Sequence, residues 1–549
     1  MDVQQFLAEF GHIANAPGGV GRLRELVLSL AFKGDLCPQS QSPINDLLEE
    51  IEQQRKASNV ETRKQRLVRQ GVGGMQADGP YALPESWRWV SISAIGRTWG
   101  QKKPEADFVY IDVSSIDNKA GTLSSSLDVL SAGAAPSRAR KIVKNGTLIY
   151  STVRPYLLNI AIIDRAFDHE PIASTAFAVV HPWAGIEARY LYFYLRSPYF
   201  VRYVESVQTG MAYPAISDEK FYSGVVPLPP TEEQSHIVAK VDELMALCDQ
   251  LDKQQQDRRK LQNALRQSTL QALASAESPH ELQESWQRLQ ANFGHFFSEP
   301  GDVRAFRDVL FDLALRGLFL PSSRLATWDC PAGQELGPLP VGWEWKTLAE
   351  LSDYITSGSR GWKTYMTSTG DSFIRSQDIR QDALIFDSPA YVTLPERVEG
   401  KRTLVRAGDL LLTITGSNVG RCAVVPELTN KAYVSQHVAL IRLNAPSLAD
   451  FIHFWMINAF GGRAFLARYI YGDKPGLNLA QVGSVPVPVP PMAVLPTILV
   501  SLRRHQALCD EFDKQLKAKR ELAERLSSAT VAELLGITLP VIEDSPVKA

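Results

Sequence analysis

The sequence predicts an α+β protein: two α/β modules joined by two long antiparallel coiled-coil helices, internally duplicated with pseudo-twofold symmetry. Two observations support this fold class. A stretch that reads Ala-Leu-Cys-Asp, two further residues and then Asp-Lys-Gln occurs at 246–254 and again at 507–515. Each copy lies in a long helical pattern that follows a Pro-Pro pair, at 229–230 in the first half and at 490–491 in the second. Duplicated sequence indicates a duplicated architecture.

The duplication extends over most of the chain. Phe-Gly-His at 10–12 returns at 293–295, and Leu-Pro-x-x-Trp-x-Trp at 83–89 returns at 339–345. The predicted segments are, in order, an N-terminal helical region (1–82), a first module (83–228), a first long helix (229–276), a helical region with a linker (277–338), a second module (339–489), a second long helix (490–536) and a flexible tail (537–549).

Short amphipathic helices open both halves. Apolar residues recur at helical spacing in 23–30 and in 306–313, and Gly34 or Gly317 closes each pattern. Only the first half has a further charged helix, which is predicted from 42 to 69.

Each module combines short strands with one helical stretch. Runs of apolar and β-branched residues predict the strands, and an amphipathic pattern predicts the helix that follows. The tryptophans Trp87 and Trp343 are predicted to pack in the module cores. The predicted strands are 109–113, 147–152 and 176–180 in the first module and 410–415 and 438–442 in the second, and the predicted helical stretches are 188–204 and 449–469.

The two long helices show the spacing of a coiled-coil seam, because leucines recur at steps of three, four or whole heptads. A polar break interrupts the seam at Gln254 and Arg258, and Gln515 and Lys519 occupy the matching places. A helix of about 44 residues extends about 65 Å. The predicted seam residues are Leu244, Leu247, Leu251, Leu261 and Leu265 in the first helix and Leu508, Phe512, Leu522 and Leu526 in the second.

Composition limits the class of protein. A chain of 549 residues exceeds one ordinary core, and its net charge of −2 argues against a uniformly basic nucleic-acid binder while leaving room for a local basic face. The five cysteines are scattered and form no Cys-x-x-Cys pair, which predicts a reducing cytoplasm and no structural zinc site. Cys248 and Cys509 are predicted as small core residues. We expect a cytoplasmic protein with no membrane segment.

Catalytic motifs are missing from the sequence. It contains no phosphate-binding Gly-x-x-x-x-Gly-Lys-Ser/Thr loop, no Gly-x-Gly-x-x-Gly fingerprint and no Gly-x-Ser-x-Gly elbow. Glu344-Trp345-Lys346 has the carboxylate-x-Lys pattern of half a nuclease site, yet its first-half equivalent is Arg88-Trp89-Val90, so a strand with alternating exposed charges is the better interpretation. We therefore expect a non-enzymatic chain without cofactors or metals of its own.

Polar and basic residues suited to DNA lie in probable loops of both modules. Basic side chains neutralise phosphates, and Arg, Lys, Asn, Gln, Ser and Thr address base edges. A solvated charged face explains the basic cluster equally well, and each residue taken singly is more often an ordinary surface residue. The candidates are Lys102, Lys103, Arg138, Arg140, Lys141, Lys144, Arg154, Gln208 and Thr209 in the first module and Arg360, Lys363, Gln377, Lys401, Arg402, Arg406, Ser417, Asn418, Arg421, Gln436 and His437 in the second.

The two modules differ most in the loops that follow their matched strands. The first module reads Val-Arg-Pro-Tyr at 153–156, whereas the second reads Thr-Gly-Ser-Asn-Val-Gly-Arg at 415–421. One scaffold therefore presents two different polar surfaces.

These features together resemble the specificity subunit of type I restriction-modification enzymes. The resemblance rests on the Trp-x-Trp stretches at 83–89 and 339–345, on Val-Val-Pro-Leu-Pro-Pro-Thr-Glu-Glu-Gln at 225–234, and on 26–39. One departure is visible at 491–496, where Pro-Met-Ala-Val-Leu-Pro replaces the Glu-Gln pair and leaves the start of the second long helix open.

The resemblance implies two target-recognition domains, held apart by an antiparallel helical spacer, that each read one half of a split double-stranded DNA sequence. It also implies two methyltransferase subunits as partners, which bind S-adenosylmethionine and modify adenine, and motor-nuclease subunits that use ATP and magnesium. Two other interpretations remain at this stage. A structural scaffold that pairs two protein partners without DNA predicts matching loops, and a nuclease or methyltransferase in its own right predicts the motifs that are missing.

Overall fold

The computed structural model describes Phe6, Phe10, Gly11 and residues 13–40, 42–58, 77–210, 212–276, 278–318, 339–358, 361–380, 382–395, 400–471 and 475–534. The chain forms two compact units. Met1–Gln256 together with Arg520–Ala549 forms the first unit, and Asp257–Lys519 forms the second.

Helices of the first unit flank the strands of its module. The first helix ends at Gly34 in the left-handed region (φ 86°), as the sequence predicts, and a Cβ on Gly34 would lie 2.6 Å from Pro84. The charged helix predicted for 42–69 is described from 44 to 57, and its basic tail lies outside the described residues. The bounds are α1 (Gly19–Lys33), α2 (Ile44–Ala57), α3 (Ile92–Ile95), α4 (Ala188–Leu195), α5 (Pro198–Val207) and α6 (Asp218–Ser223).

Two four-stranded sheets form the first module, in the orders β6-β3-β10-β7 and β2-β11-β8-β9. An antiparallel pair, β1 with β12, joins the beginning of the module to its end, and β4 pairs with β5. The strands are β1 (Arg88–Ser91), β2 (Gly96–Arg97), β3 (Phe108–Ile111), β4 (Ile116–Asp117), β5 (Thr122–Leu123), β6 (Val129–Leu130), β7 (Ala139–Ile142), β8 (Leu148–Ser151), β9 (Ile160–Ile162), β10 (Glu170–Ser174), β11 (Phe177–Pro182) and β12 (Val225–Leu228).

In the second unit, helices again flank a two-sheet module. The first long helix begins in the first unit and ends in the second, and the second long helix does the reverse. The bounds are α7 (Thr231–Ala274), α8 (Pro279–Ala291), α9 (Phe293–Phe296), α10 (Val303–Leu315), α11 (Ala449–Ile457), α12 (Gly462–Ala467), α13 (Leu479–Gly483) and α14 (Leu495–Leu534).

The second module repeats one four-stranded sheet of the first, and its other sheet differs in the edge strands. Its sheets have the orders β14-β23-β20-β21 and β15-β19-β16-β22, β13 pairs with β24, and β17 pairs with β18. The strands are β13 (Glu344–Thr347), β14 (Ser352–Ser357), β15 (Met366–Thr367), β16 (Asp371–Ile374), β17 (Ile379–Arg380), β18 (Ala383–Leu384), β19 (Tyr391–Val392), β20 (Leu410–Thr413), β21 (Cys422–Val424), β22 (Ala432–Val434), β23 (Val438–Leu443) and β24 (Pro486–Val489).

Both predicted helical stretches are interrupted. The break between α4 and α5 comes at Ser197-Pro198: Ser197 caps α5 by accepting from the Phe200 N–H, and proline suits the first turn of a new helix. In the second module, α11 ends at Ile457 and α12 begins at Gly462. The continuous helices predicted for 188–204 and 449–469 were therefore wrong at these turns.

The tryptophans of the two halves differ in burial. Trp87 is 1% exposed and packs in the first core as predicted, whereas Trp343 is only half-buried. In the first unit residues 77–81 cover the neighbouring Trp89, whose Nε1–H donates to the Tyr81 carbonyl at 3.0 Å. Strand β13 remains largely exposed, and Lys346 Nζ lies 3.4 Å from Glu344 Oε2. This confirms the prediction of a strand with alternating exposed charges.

The first long helix has the predicted 44 residues. The second has 40, and it begins at Leu495. Because Pro496 lies in its first turn, the proline costs no internal hydrogen bond. The departure at 491–496 thus delays the second helix without preventing it.

The buried face of each long helix differs from the predicted leucine seam. Leu244 is buried as predicted, and so are Cys248 and Cys509. The buried residues of α14 include Leu502 and Leu516, which lie about a quarter of a turn around the helix from the predicted face. The seam prediction was wrong for five leucines whose side chains are more than half exposed: Leu261, Leu265, Leu508, Leu522 and Leu526.

The polar break in the first long helix also lies one residue later than predicted. Gln254 and Arg258 are exposed, whereas Gln255 Nε2–H donates to the Ala14 carbonyl at 2.7 Å and Arg259 pairs with the buried Asp302. Gln515 and Lys519 are exposed as well. The straight helical period of 3.6, rather than the heptad period of 3.5, determines which residues face inward over this length.

Candidate nucleic-acid interface

The first module carries two adjoining loops where its strand β8 ends. Val153 forms an isolated bridge with Ala215, and the Arg154 N–H donates to the Pro214 carbonyl at 2.8 Å. Thr209 also bridges to Ala215, which closes the second loop on itself. We call the described residues of 153–158 and 208–215 the first loop pair.

Aromatic and apolar side chains stand out from the first loop pair. Tyr213 is 69% exposed, and Tyr156, Val153 and Leu157 are exposed beside it. The Arg154 guanidinium lies 5.2 Å from the centroid of the Tyr213 ring, a cation–π arrangement. Flat rings and an arginine on an exposed loop are chemically suited to stacking on nucleobases and to pairing with phosphates.

The backbone of the first loop pair is strained at two residues. Arg154 and Leu158 have positive φ values of 48° and 52°, in the left-handed region that side chains other than glycine rarely adopt. A residue held there costs about 1–3 kcal/mol, and such residues cluster at functional sites. These two residues flank the short helical turn at 155–157, where Pro155 is buried and Tyr156 is exposed.

The second module has its own loops at the corresponding place. Thr415 follows strand β20 and forms an isolated bridge with Gly476, and the Leu477 N–H donates to the Ile414 carbonyl at 2.8 Å. The loop after Thr415 turns through glycine, with φ 103° at Gly416. We call the described residues of 415–421 and 470–478 the second loop pair.

Hydrogen-bonding side chains surround the second loop pair. The Asn418 amide donates to the Ser376 carbonyl at 3.4 Å, and Thr415 Oγ1 hydrogen-bonds with His437 Nδ1. Gln436 Nε2 lies 3.1 Å from His437 Nε2. The structure therefore brings together five of the predicted residues, four of them exposed and Asn418 partly so: Gln377, Ser417, Asn418, Gln436 and His437.

Five predicted basic residues of the first module lie outside its loop pair. Lys103 and Arg138 are exposed, and Arg140 is half-buried beside the Ala139 carbonyl. Lys102 Nζ lies 2.5 Å from a Glu170 carboxylate oxygen, and this hydrogen bond raises the pKa of Lys102. The fifth, Lys144, is exposed and lies over the Trp99 ring, with 4.0 Å between its Nζ and the ring centroid.

The prediction that Lys141 contacts DNA was wrong. Its side chain is buried, and its Nζ donates to the Phe177 carbonyl at 2.5 Å and to Asp218 Oδ2 at 2.9 Å. Lys141 follows Arg140 in β7, and successive residues of a strand face opposite sides of the sheet. Its charge is neutralised inside the module, so a phosphate would have to break that pair.

The remaining candidates of the second module are exposed basic residues and one partly paired arginine. Arg421 Nη1 lies 3.8 Å from Asp382 Oδ2, so part of its charge is already balanced. Arg360 lies outside the described residues. The exposed residues are Lys363, Lys401, Arg402 and Arg406.

Two of the predicted residues, Gln208 and Thr209, lie in the first loop pair, whereas Tyr156 and Tyr213 were not predicted. Tyrosine gives no loop signal by itself because it is also a common core residue. The available signal was Gly210 followed three residues later by Tyr213-Pro214, which predicts a turn that exposes the ring.

The described residues contain no group of three or more His, Cys, Asp or Glu side chains that could hold a metal ion. Among the helices described here, none is long and apolar enough to cross a membrane.

Comparison with known proteins gives one consistent result. Residues 99–258 match the family described as type I restriction modification DNA specificity domain. The chain is 23% identical to the EcoEI specificity subunit of Escherichia coli over 93% of each chain, and 23% identical to the EcoAI specificity subunit of Escherichia coli over 93% of this chain and 94% of that one.

One solved structure, which concerns complex assembly and conformational transition of the type I R-M system, contains a chain of similar fold. That chain is 24% identical, with a TM-score of 0.52 and coverage of 83% of this chain and 99% of that chain. The resemblance predicted from the sequence is confirmed.

Proposed function

We propose that this chain, a relative of type I specificity subunits along nearly its whole length, is the specificity subunit of a type I restriction-modification assembly in which each module reads one half of a bipartite DNA site. One observation supports two unlike half-sites. The two loop pairs occupy the same place after matched strands, yet one presents tyrosines with an arginine and the other presents amides, a hydroxyl and an imidazole. A scaffold that held two copies of one partner would need two like surfaces.

The side chains of each loop pair suit a different way of recognising DNA. In the first, Tyr213 and Arg154 supply a stacking face and a charge, which favour unstacked or deformable base steps and nearby phosphates. In the second, Asn418 and Gln436 carry amides that pair with both the donor and the acceptor of an adenine edge in the major groove. The exposed basic residues of both modules contact phosphates and position the chain without reading sequence.

The same assignment leaves catalysis to other subunits. We propose that two methyltransferase subunits, which bind S-adenosylmethionine, and motor-nuclease subunits, which use ATP and magnesium, assemble on this chain. The long helices α7 and α14 set the gap between the half-sites.

Two equivalent leucine pairs suit the two methyltransferase copies. Leu261 and Leu265 lie four residues apart on α7, and Leu522 and Leu526 lie four residues apart on α14, so each pair forms one stripe on its helix. All four side chains are more than half exposed. Full burial of one such leucine contributes about 1.5–3 kcal/mol to binding. Two copies of the same partner would bind the two stripes in the same way.

Substitution of base-reading residues tests the proposed function. Gln436→Ala, with the methyltransferase partner present, is expected to reduce discrimination in one half-site by about 1–3 kcal/mol, which is about 5- to 150-fold, because one amide contact to a base edge is lost. Tyr213→Ala is expected to relax the other half only. Competition binding with libraries randomised in either half measures both effects.

The matched control is Lys401→Ala, which removes an exposed charge near the second module's basic cluster. It should weaken binding to every sequence alike and lower the salt dependence. If Gln436→Ala and Lys401→Ala have the same sequence-independent effect, the assignment of base reading to the second loop pair fails.

Replacing one leucine pair tests the docking proposal. Leu522→Gln with Leu526→Gln is expected to weaken one methyltransferase site at least about 100-fold and to reduce the bound copies from two to one, because that site loses both of its leucines. Native mass spectrometry of the assembly measures the stoichiometry. Lys519→Gln, on the same helix and also exposed, is the control and should retain two copies. Two copies on the leucine variant at the same affinity would exclude this surface.

A further inference from the structure

A cluster of cations and indole rings lies in the first module, away from the first loop pair. The Arg97 guanidinium is 4.2 Å from the Trp99 ring centroid and 5.1 Å from the Trp183 ring centroid. Lys144 Nζ lies over the same Trp99 ring at 4.0 Å, and His181 lies beside it with 4.7 Å between ring centroids. Two permanent positive charges and an imidazole thus meet on one indole.

No carboxylate among the described residues pairs with the positive charges of this cluster. Within the described part of the chain, neither Arg97 nor Lys144 forms an ion pair. Burial, and then the charges of Arg97 and Lys144, lowers the pKa of His181, which is the effect expected where no anion compensates the cations. Three buried donors also have no partner there: Arg97 Nε, Trp99 Nε1 and Trp183 Nε1. Unsatisfied buried donors are rare in folded proteins and call for a physical explanation.

The second module provides an internal reference for this position. In each module the equivalent strands pair in the same register, β11 with β8 and β23 with β20. His181 of β11 therefore corresponds to Arg442 of β23, and Thr147 before β8 corresponds to Asp409 before β20. Thr147 Oγ1 lies 3.1 Å from His181 Nδ1. At the corresponding place Asp409 accepts from Arg442 Nε at 2.9 Å and from Nη2 at 2.6 Å, and both residues are buried.

The two modules therefore have different residues and a different charge balance at this position. In the second, the Asp409 carboxylate neutralises Arg442, and Tyr354 stacks on the guanidinium at 5.1 Å. In the first, Thr147 replaces the carboxylate, and extra cations are added without an anion. The turn is otherwise alike, because the Lys144 N–H donates to Thr147 Oγ1 at 3.1 Å and the Arg406 N–H donates to Asp409 Oδ2 at 2.7 Å.

A groove beside the cluster gives a ligand access to it. The groove is lined by Arg97, His181 and Trp183 together with Gln54 and Ser58 at the end of α2, the helix that only the first half possesses. None of the described residues that line it is acidic. The position suits a small anion with several acceptor oxygens, which cations and N–H donors bind most strongly.

We propose that the cluster of Arg97, Trp99, Lys144 and His181 binds a phosphate group whose negative charge takes the place that Asp409 fills in the second module. The phosphate belongs either to the DNA backbone or to a free phosphate ester. Only the first of these sources rests on the proposed function, since a free ester would bind whether or not the chain reads DNA.

Supplying the missing carboxylate tests the proposal. Thr147→Asp places in the first module the residue that the second module already has, and it is expected to weaken binding of inorganic phosphate to the full chain at least about 10-fold, because the new carboxylate neutralises the cluster. Lys144→Gln, a change of an exposed side chain, should weaken it similarly. Isothermal titration calorimetry with sodium phosphate measures both.

The control is Lys514→Gln, which removes an exposed charge of α14 outside both modules and should leave phosphate binding unchanged. Thr147→Asp is expected to melt no lower than the wild type, and Lys144→Gln carries the test if the first variant does not fold. Phosphate affinity that is unaffected by both variants, or reduced as much by Lys514→Gln, would overturn the proposal.

A DNA duplex titrated in place of phosphate separates the two sources. If DNA supplies the phosphate, Thr147→Asp weakens duplex binding as well; if a free ester does, duplex affinity is unchanged while phosphate binding is lost. Failure of the proposed function would look different, because the wild-type chain with its partners would then show no preference among duplexes while phosphate binding persisted.

Discussion

Exchanging residues 83–228 for the corresponding module of a relative is expected to change one half of the recognised DNA sequence completely and to leave the other half unaltered. The physical reason is that β1 and β12 close the first module on itself by an antiparallel pair, so that its loops depend on its own sheets. The first loop pair is held by bonds within that module, such as Arg154 to Pro214. Sequencing of methylated adenines in cells that carry the exchanged chain and the methyltransferase measures the result.

The reciprocal exchange of residues 339–489 is the matched control. It should alter the opposite half and retain the half that the first exchange changes. A change in both halves after either exchange, or in neither, would contradict independent reading by the two modules.

Asp302→Asn is expected to lower the free energy of unfolding of the second unit by about 2–3 kcal/mol. Asp302 is 2% exposed and accepts from Arg259 Nη1 at 3.0 Å, while Arg266 Nη1 lies 2.5 Å from its other oxygen. Loss of one partner from a buried pair leaves the other charges uncompensated and costs about 3–5 kcal/mol, and the partial exposure of Arg259 reduces that figure. Urea denaturation at pH 7, with hydrogen exchange in α10, measures the loss.

The same substitution should lose its effect in acid. Burial alone would raise the pKa of Asp302, but the hydrogen bonds from Arg259 and the Glu299 N–H outweigh it and hold the pKa below its ordinary value. A depressed carboxyl pKa stabilises the fold above the unfolded pKa, near 4, and this stabilisation is lost as the pH falls through the lower folded value. Wild type and variant should therefore converge well below pH 4.

Asp257→Asn serves as the control for Asp302→Asn. Asp257 lies on the same helix as Arg259 and pairs with Lys260 at 3.5 Å, with both side chains more than half exposed. Exposed pairs contribute little, so the expected change is less than about 0.5 kcal/mol. Equal effects of the two substitutions would show that the buried pair has no special role.

The sequence predicts local elements well where one property determines them. Strand β8 and its second-module equivalent β20 were found because each is a run of four buried residues, three of them apolar or aromatic. The end of α1 at Gly34 followed from glycine's freedom at positive φ. The long helices were found because α7 and α14 extend without interruption from a proline hinge.

Which side chains of a helix or strand face the interior was harder to predict, since this depends on contacts between residues distant in sequence. Leu261 and Leu265 fit a heptad, yet the helix turns Arg259 and Arg266 toward Asp302 instead. Lys141 was predicted to contact DNA like its neighbour Arg140, but its side chain faces the interior and pairs with Asp218. In each case one carboxylate, the buried Asp302 or the partly exposed Asp218, determines which cation is held inside.

The candidate sites show the same limit. Divergence between 153–156 and 415–421 was visible in the sequence, and it led to both loop pairs. The cluster around Trp99 was not, because Arg97, Lys144 and His181 come from three separate strands or turns and meet only after β2 pairs with β11. A comparison of Thr147 with Asp409 becomes meaningful only once strand pairing fixes the register.

The most direct measurement is the set of methylated adenines in cells that express this unaltered chain together with its methyltransferase partner. We expect a single split sequence with two unlike half-sites separated by a fixed gap, because the two modules of one duplicated scaffold carry different loop pairs. Methylation at a continuous or palindromic sequence, or no methylation that depends on this chain, would contradict it.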